Sequence, residues 1–170
     1  MPSTYEPIAT TTGTGSSTTI TFLTIPQTYT DLVLVYSDIN AQTTDVGIRF
    51  NTDSGSNYGR NVTFADLSGG AQSFRNAPGN AVYTTYRDLA STSDKLVFGV
   101  THIMSYSNST TVKPCFTRTQ TVGGVGPHTT MMIGSTWFAT PAPITRIDVF
   151  SILNNFTTTC KFSLYGIAAA

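Results

Sequence analysis

Short apolar runs that alternate between two faces recur along this chain from end to end, and none repeats at helical spacing. Ser17 to Leu23 (STTITFL) is the cleanest case, with Ile20 and Phe22 on one face and threonines mostly opposite. A period of two marks a strand with one buried face. The closing stretch Ile144 to Ile167 (ITRIDVFSILNNFTTTCKFSLYGI) holds two such runs around a polar connection, Asn154 to Thr159. In the first, Ile147, Val149 and Ser151 share one face, while Ile144, Arg146, Asp148, Phe150 and Ile152 share the other. In the second, Phe162 and Leu164 oppose Ser163, Tyr165 and Ile167. Apolar groups on both faces predict a closing strand pair covered on two sides.

Composition points the same way. The chain has one glutamate (Glu6) and three lysines, so the residues that pave helix surfaces are nearly missing, while threonine supplies 32 of 170 positions. Threonine is stiff at its first side-chain torsion and suits a pleated surface. Only 11% of residues are charged, against about 25% in ordinary globular domains. Nine basic and nine acidic residues cancel. A neutral chain with scattered cations has no electrostatic footprint for nucleic acid or an anionic membrane, so neither is expected as a partner. No run approaches the ~20 apolar residues of a membrane helix, and the opening MPSTYEPIATTTGTG does not read as a signal peptide. A threonine-covered surface of zero net charge predicts contact with other subunits; an isolated neutral sandwich is the plainer alternative. One domain over residues 1–170 is expected, with Cys115 and Cys160 as buried, reduced thiols.

Along the chain, Tyr5 to Thr11 and Ser17 to Leu23 read as a hairpin across a Gly/Ser turn. Asp31 to Ile39 is apolar on both faces and is placed centrally. Val46 to Phe50 is a strand solvated on one side, and Asn51 to Asn57 (NTDSGSN) is a tight polar turn. Tyr58 to Phe64 returns as a strand. Asp66 to Asn80 reads as a long surface loop, and Ala81 to Leu89 as a strand or one helical turn. Lys95 to Tyr106 is a long strand whose Gly99 predicts a bulge or close packing. Val112 to Gln120 is a strand whose Pro114 predicts an edge position or a bulge. Val122 to Pro127 is a turn, and His128 to Phe138 a further strand. The whole reads as all-β: an antiparallel two-sheet β-sandwich, jelly-roll-like, with nine or ten strands and adjacent termini.

No reaction motif emerges. Neither the nucleophile elbow Gly-x-Ser-x-Gly nor a phosphate loop occurs, and Gly123, Gly124 and Gly126 precede no helix signal. His102, beside Ile103 in a strand, reads as a satisfied structural histidine, and His128 as exposed. Asn51, Asp53, Gly55 and Asn57 superficially resemble a calcium loop but lack its closing Glu, so an Asx-rich turn is the better account. The aspartates are scattered, and nothing pairs two of them for glycoside hydrolysis. Sequons at Asn61, Asn108 and Asn155 matter only in a secreted eukaryotic protein. Trp137 with Phe138, and Tyr83 with Tyr86, are core aromatics, a subunit interface or a sugar platform. No catalytic, cofactor or metal residue is assigned, and no enzyme activity is expected.

With the strands placed, PSTYEPIATTT, ITFLTIPQTYTDLVLV, IRFNTDSGSNYGR, HIMSYSNSTTVKP, ITRIDVF and FSLYGI together resemble small virion structural proteins of tailed bacteriophages. The resemblance spans most of the chain, weakest at Asp66 to Asn80 and Gly123 to Met132. It implies a β-sandwich located in the virion, assembled in the host bacterial cytoplasm, and homo-oligomeric, with a trimer favoured. It further implies the major capsid protein or other virion proteins as partners, and it carries over no catalytic residue. A capsid decoration (cement) protein is the leading expectation. A tail or head-fibre module binding host-surface glycan comes second, and a small glycan hydrolase third. Met1 to Thr12 and Asp66 to Asn80 are the expected contact segments.

Overall fold

The computed structural model describes residues 4–40, 46–65, 70–85, 96–122 and 130–168, and among them it is entirely β. The strands are β1 (Tyr5–Thr12), β2 (Thr19–Phe22), β3 (Asp31–Asn40), β4 (Val46–Phe50), β5 (Tyr58–Ala65) and β6 (Ala71–Gly79). They continue with β7 (Val82–Tyr83), β8 (Leu96–Ile103), β9 (Lys113–Val122), β10 (Thr130–Trp137), β11 (Ile147–Ser151) and β12 (Lys161–Ile167). That is twelve strands among the described residues where nine or ten were expected.

They form two antiparallel sheets, ordered β1-β12-β3-β8-β9-β10-β5-β6 and β2-β11-β4-β7. Setting β5, β6, β9 and β10 aside and renumbering the other eight strands in sequence, the sheets read 1-8-3-6 and 2-7-4-5. That is the jelly-roll order. The four remaining strands arrive as two insertions, β5–β6 after β4 and β9–β10 after β8, and extend one sheet far beyond its partner. The first strand pairs with the last, Tyr5 opposite Ile167, so the ends meet as expected.

The elements follow the sequence closely, but their pairing does not. The closing strands do not pair with each other: β11 lies between β2 and β4, and β12 lies in the other sheet between β1 and β3. Nor do β1 and β2 form a hairpin, since they too fall in opposite sheets. In a jelly roll the chain crosses between layers where a meander would turn back. The expected loop from Asp66 to Asn80 is largely the edge strand β6, and Ala81 to Leu89 contributes only β7, with residues 86–89 outside the described residues. Pro114 sits neither on an edge nor at a bulge. Strand β9 is paired on both sides, and Pro114 stands one residue inside its start, where its carbonyl accepts the Met104 amide at 2.9 Å. At a strand start the missing N–H costs little. Gly99 marks close packing: the Tyr36 ring lies over it, and a Cβ there would sit 2.4 Å from the ring.

The main core lies between the sheets, with Ile48, Phe50, Ile147 and Val149 from the smaller sheet meeting Leu32, Leu34, Phe162 and Leu164 from the larger. Val62, Phe64, Met131 and Ile133 form a second cluster on the extension, with Phe74 packed against it. Part of the threonine is interior. Thr101 and Thr117 hydrogen-bond across β8 and β9 at 2.9 Å, and Thr119 and Thr121 are buried beside them. On the outer side of β4, Gly47 is buried beneath Phe150, whose ring also carries the Arg49 guanidinium at 4.2 Å. The expected solvated side is therefore covered.

Burial pushes the phenols of Tyr36 and Tyr58 well above their ordinary value of 10.0. The unfolded chain gives up those protons near pH 10.0 and the folded chain keeps them. Stability present below that pH is therefore lost as pH rises through it, by up to about 1.4 kcal/mol per pH unit for each group. The urea midpoint is expected to begin falling above pH 9.0, where the buried Cys115 thiol adds the same linkage, and to fall more steeply above pH 10.0, less so in Tyr36→Phe. A midpoint still flat at about pH 11 would contradict this linkage.

Candidate functional site

The titratable residues with chemical potential turn out to be structural. In the 51–57 turn the Asp53 carboxylate accepts the Gly55 amide at 2.8 Å, the Asn57 side chain at 2.9 Å and the Trp137 indole N–H at 2.7 Å. Burial alone would raise its pKa. The bonds from Trp137, Asn57 and Gly55, with the charge of Arg49, more than reverse that and hold it below the ordinary value. Its oxygens are committed to internal donors, as an Asx-rich turn requires. His102 Nε2 lies 2.9 Å from Asp31 Oδ2, while Asp31 Oδ1 accepts the Ser105 amide at 2.7 Å. That pair pins the end of β8 to the start of β3. Lys113 is fully buried, and its ammonium donates to the carbonyls of Asn108 and Thr111, the latter at 2.6 Å. Burial lowers its pKa. It organises the 104–112 loop. Cys115 and Cys160 are buried free thiols, and burial pushes the Cys115 thiol well up. Among the described residues no three His, Cys, Asp or Glu gather to hold a metal. His128, Tyr86 and the glycines 123, 124 and 126 lie outside the described residues.

Of the aromatic candidates, Trp137 is core, edge-on to Phe50 at 5.6 Å, whereas Phe138 is 43% exposed. Tyr83 is half-buried, and its ring meets Phe150 at 6.5 Å and the Arg60 guanidinium at 4.7 Å. It links the smaller sheet to the extension.

What remains is the outer face of the eight-stranded sheet. Side chains facing outward align in rows because the central pairings are antiparallel and run without a shift through these positions, the β3–β8 irregularity falling beyond them between Tyr36 and Ile39. One row runs Val35, Val100, Arg118, Met132, Thr63. The next runs Val33, His102, Phe116, Gly134, Asn61, Arg75. Val100, Phe116 and Met132 are 38%, 37% and 45% exposed. They make a broad face that is apolar toward β3 and β8. A shallow depression of about 390 Å³ lies over Val35, Phe98 and Val100. Toward the extension a groove of about 580 Å³ opens above Gly134 and Gly59, bounded by Phe116, Phe138, Asn61 and Arg75.

The two segments expected to make contacts, Met1 to Thr12 and Asp66 to Asn80, supply the two edges of this sheet, β1 and β6. Pro7 and a register shift between Pro7 and Ala9 blunt the first edge. Sequence reasoning missed the outer rows entirely. The signal was present in TMMIGSTW, where Gly134 interrupts an alternating strand as Gly99 does. No protein-family model matches the chain, and no curated protein or solved structure shows significant similarity to it.

Proposed function

We propose that this protein is a structural component of a tailed-bacteriophage virion, a capsid decoration protein that works as a homo-oligomer against the major capsid protein. The observation that carries the reading is the outer face bearing Val35, Val100 and Met132 on a chain of zero net charge. Exposed apolar surface edged by a charge, as Arg118 edges Val35 and Val100 here, marks interaction sites, and a neutral chain lacks the self-repulsion that keeps monomers apart. The resemblance of its strand and turn segments to phage virion proteins supplies the setting. Jelly rolls are common among viral shell proteins, which agrees with that setting without requiring it. Mechanically, such a protein stabilises a shell by bridging subunits. Specific contacts bury about 1,200–2,000 Å² each, and repetition over a closed surface multiplies them through avidity.

Two measurements test the reading. Quantitative mass spectrometry of purified particles should count this chain on the scale of the capsid subunits; absence from particles, or a location at the tail alone, overturns it. The double variant Val100→Asp/Met132→Asp should keep its thermal midpoint, because both side chains are already partly in water. It should lose particle binding. Undiminished binding would remove the face from the proposal. Deleting 68–78 is not a clean alternative, since it would take out most of β6 together with Phe74.

A further inference from the structure

We infer that the groove above Gly134 is a binding site for an acidic glycan, a sugar bearing a carboxylate. The inference starts from Gly134 itself. It stands inside β10, paired on one side with Phe116 and on the other with Asn61. Its φ is not positive, and a Cβ built on it would meet nothing within 4 Å. Neither backbone conformation nor packing calls for glycine there, yet glycine weakens a strand interior. The fold gains nothing from it. What it does is leave the floor of the groove bare, and Gly59 does the same in the next strand.

The walls fit one ligand chemistry. Phe116 and Asn61 stand two strands apart across Gly134, a slot on the order of 10 Å wide. That spacing admits one pyranose ring lying flat on the backbone. Phe116 and Phe138, 37% and 43% exposed, offer apolar edges for the C–H face of a sugar. Beyond Asn61 in the same row lies Arg75. Both side chains are exposed, and neither has a hydrogen-bond or ion-pair partner among the described residues. An amide that both donates and accepts suits hydroxyls, and a guanidinium fork suits a carboxylate. Among the described residues no acidic side chain lines the groove to neutralise Arg75. A groove of about 580 Å³ holds a short oligosaccharide segment. The site adjoins the Val100 and Met132 surface, with which it shares Phe116, but it does not rest on the virion reading.

The test is a titration of the ¹⁵N-labelled chain, followed by amide NMR, with a homogalacturonan tetrasaccharide and sialyllactose. Maltotetraose and lactose serve as neutral counterparts. The expected result is shifts at Gly59, Asn61 and Gly134 with at least one acidic sugar, and binding weaker by at least about tenfold with its neutral counterpart. Gly134→Val should fold at least as well as the parent and lose the response. Arg75→Gln should weaken it by about tenfold, the weight of one charge-assisted hydrogen bond. No shifts with any acidic sugar, shifts elsewhere, equal response to the neutral sugars, or binding retained by Gly134→Val would each overturn the inference. Should Gly134→Val fail to fold, Arg75→Gln and the neutral sugars still decide it.

Discussion

Replacing Trp137 with alanine is expected to remove about 3–5 kcal/mol of stability, a large share of the roughly 5–15 kcal/mol available to a domain. The indole is 5% exposed, stands edge-on to Phe50 and stacks near Tyr58, so its loss leaves a cavity among rings that cannot collapse together. It also takes away the N–H that Asp53 accepts at 2.7 Å. Trp137→Phe separates the two effects, keeping most of the volume and losing mainly the hydrogen bond, for about 1–3 kcal/mol. The acid limb supplies the second readout. Asp53 is held below its ordinary value of 3.8, so its contribution is present above that pH and is lost as pH falls through the folded-state value. Without the indole donor the folded-state value rises toward 3.8, and the part of the acid loss due to Asp53 shrinks. Urea midpoints for the parent and both variants from pH 2 to pH 7 would show it. A Trp137→Ala variant as stable as the parent would contradict the packing argument.

The second large effect is at Gly99. Its strand partner Tyr36 is 2% exposed and lays its ring across the glycine, so Gly99→Ala puts a methyl carbon 2.4 Å from ring atoms. Overpacking of this kind costs about 1–3 kcal/mol. If the ring is the obstacle, Tyr36→Leu should relieve it, and the double variant should lose less than the sum of the single losses by at least about 1 kcal/mol. Additive losses would mean that backbone conformation rather than the ring demands glycine. Chemical denaturation of the four proteins completes the cycle. A similar constraint holds Gly13, where a Cβ would lie 2.1 Å from the Thr157 carbonyl oxygen, so a backbone rather than a side chain blocks it.

These two sites were unequally legible. Gly99 stood out as an interior glycine, and close packing was one of the two readings it allowed. Trp137 was weighed as a possible surface platform because the sequence shows an aromatic pair, Trp137 and Phe138, without showing which way each points. Alternation assigns neighbours to opposite faces, so one of the two had to be outside; only the sheet decides which. Gly134 carried the same signal as Gly99 and passed unnoticed. A glycine that makes room for a buried ring and one that leaves a surface bare look alike in sequence.

The sequence by itself determined the all-β class seen across the described residues, and it placed most strands, because period-two alternation is a local property of each segment. The strands at Asp31, Tyr58, Lys95 and His128 all proved right to within a few residues. Turns were legible for the same reason, since Asp53 closes its own loop through Gly55 and Asn57. What only the tertiary structure decided is which strand pairs with which. In a jelly roll nearly every partner is distant in sequence, as when Tyr5 meets Ile167 and Ile147 meets Phe22. Such pairings are fixed by shared burial between layers, and no local pattern encodes them. For the same reason the outer rows, and the groove above Gly134, exist only once strands from separate parts of the chain, six of them from β3 to β6 across the sheet, stand side by side.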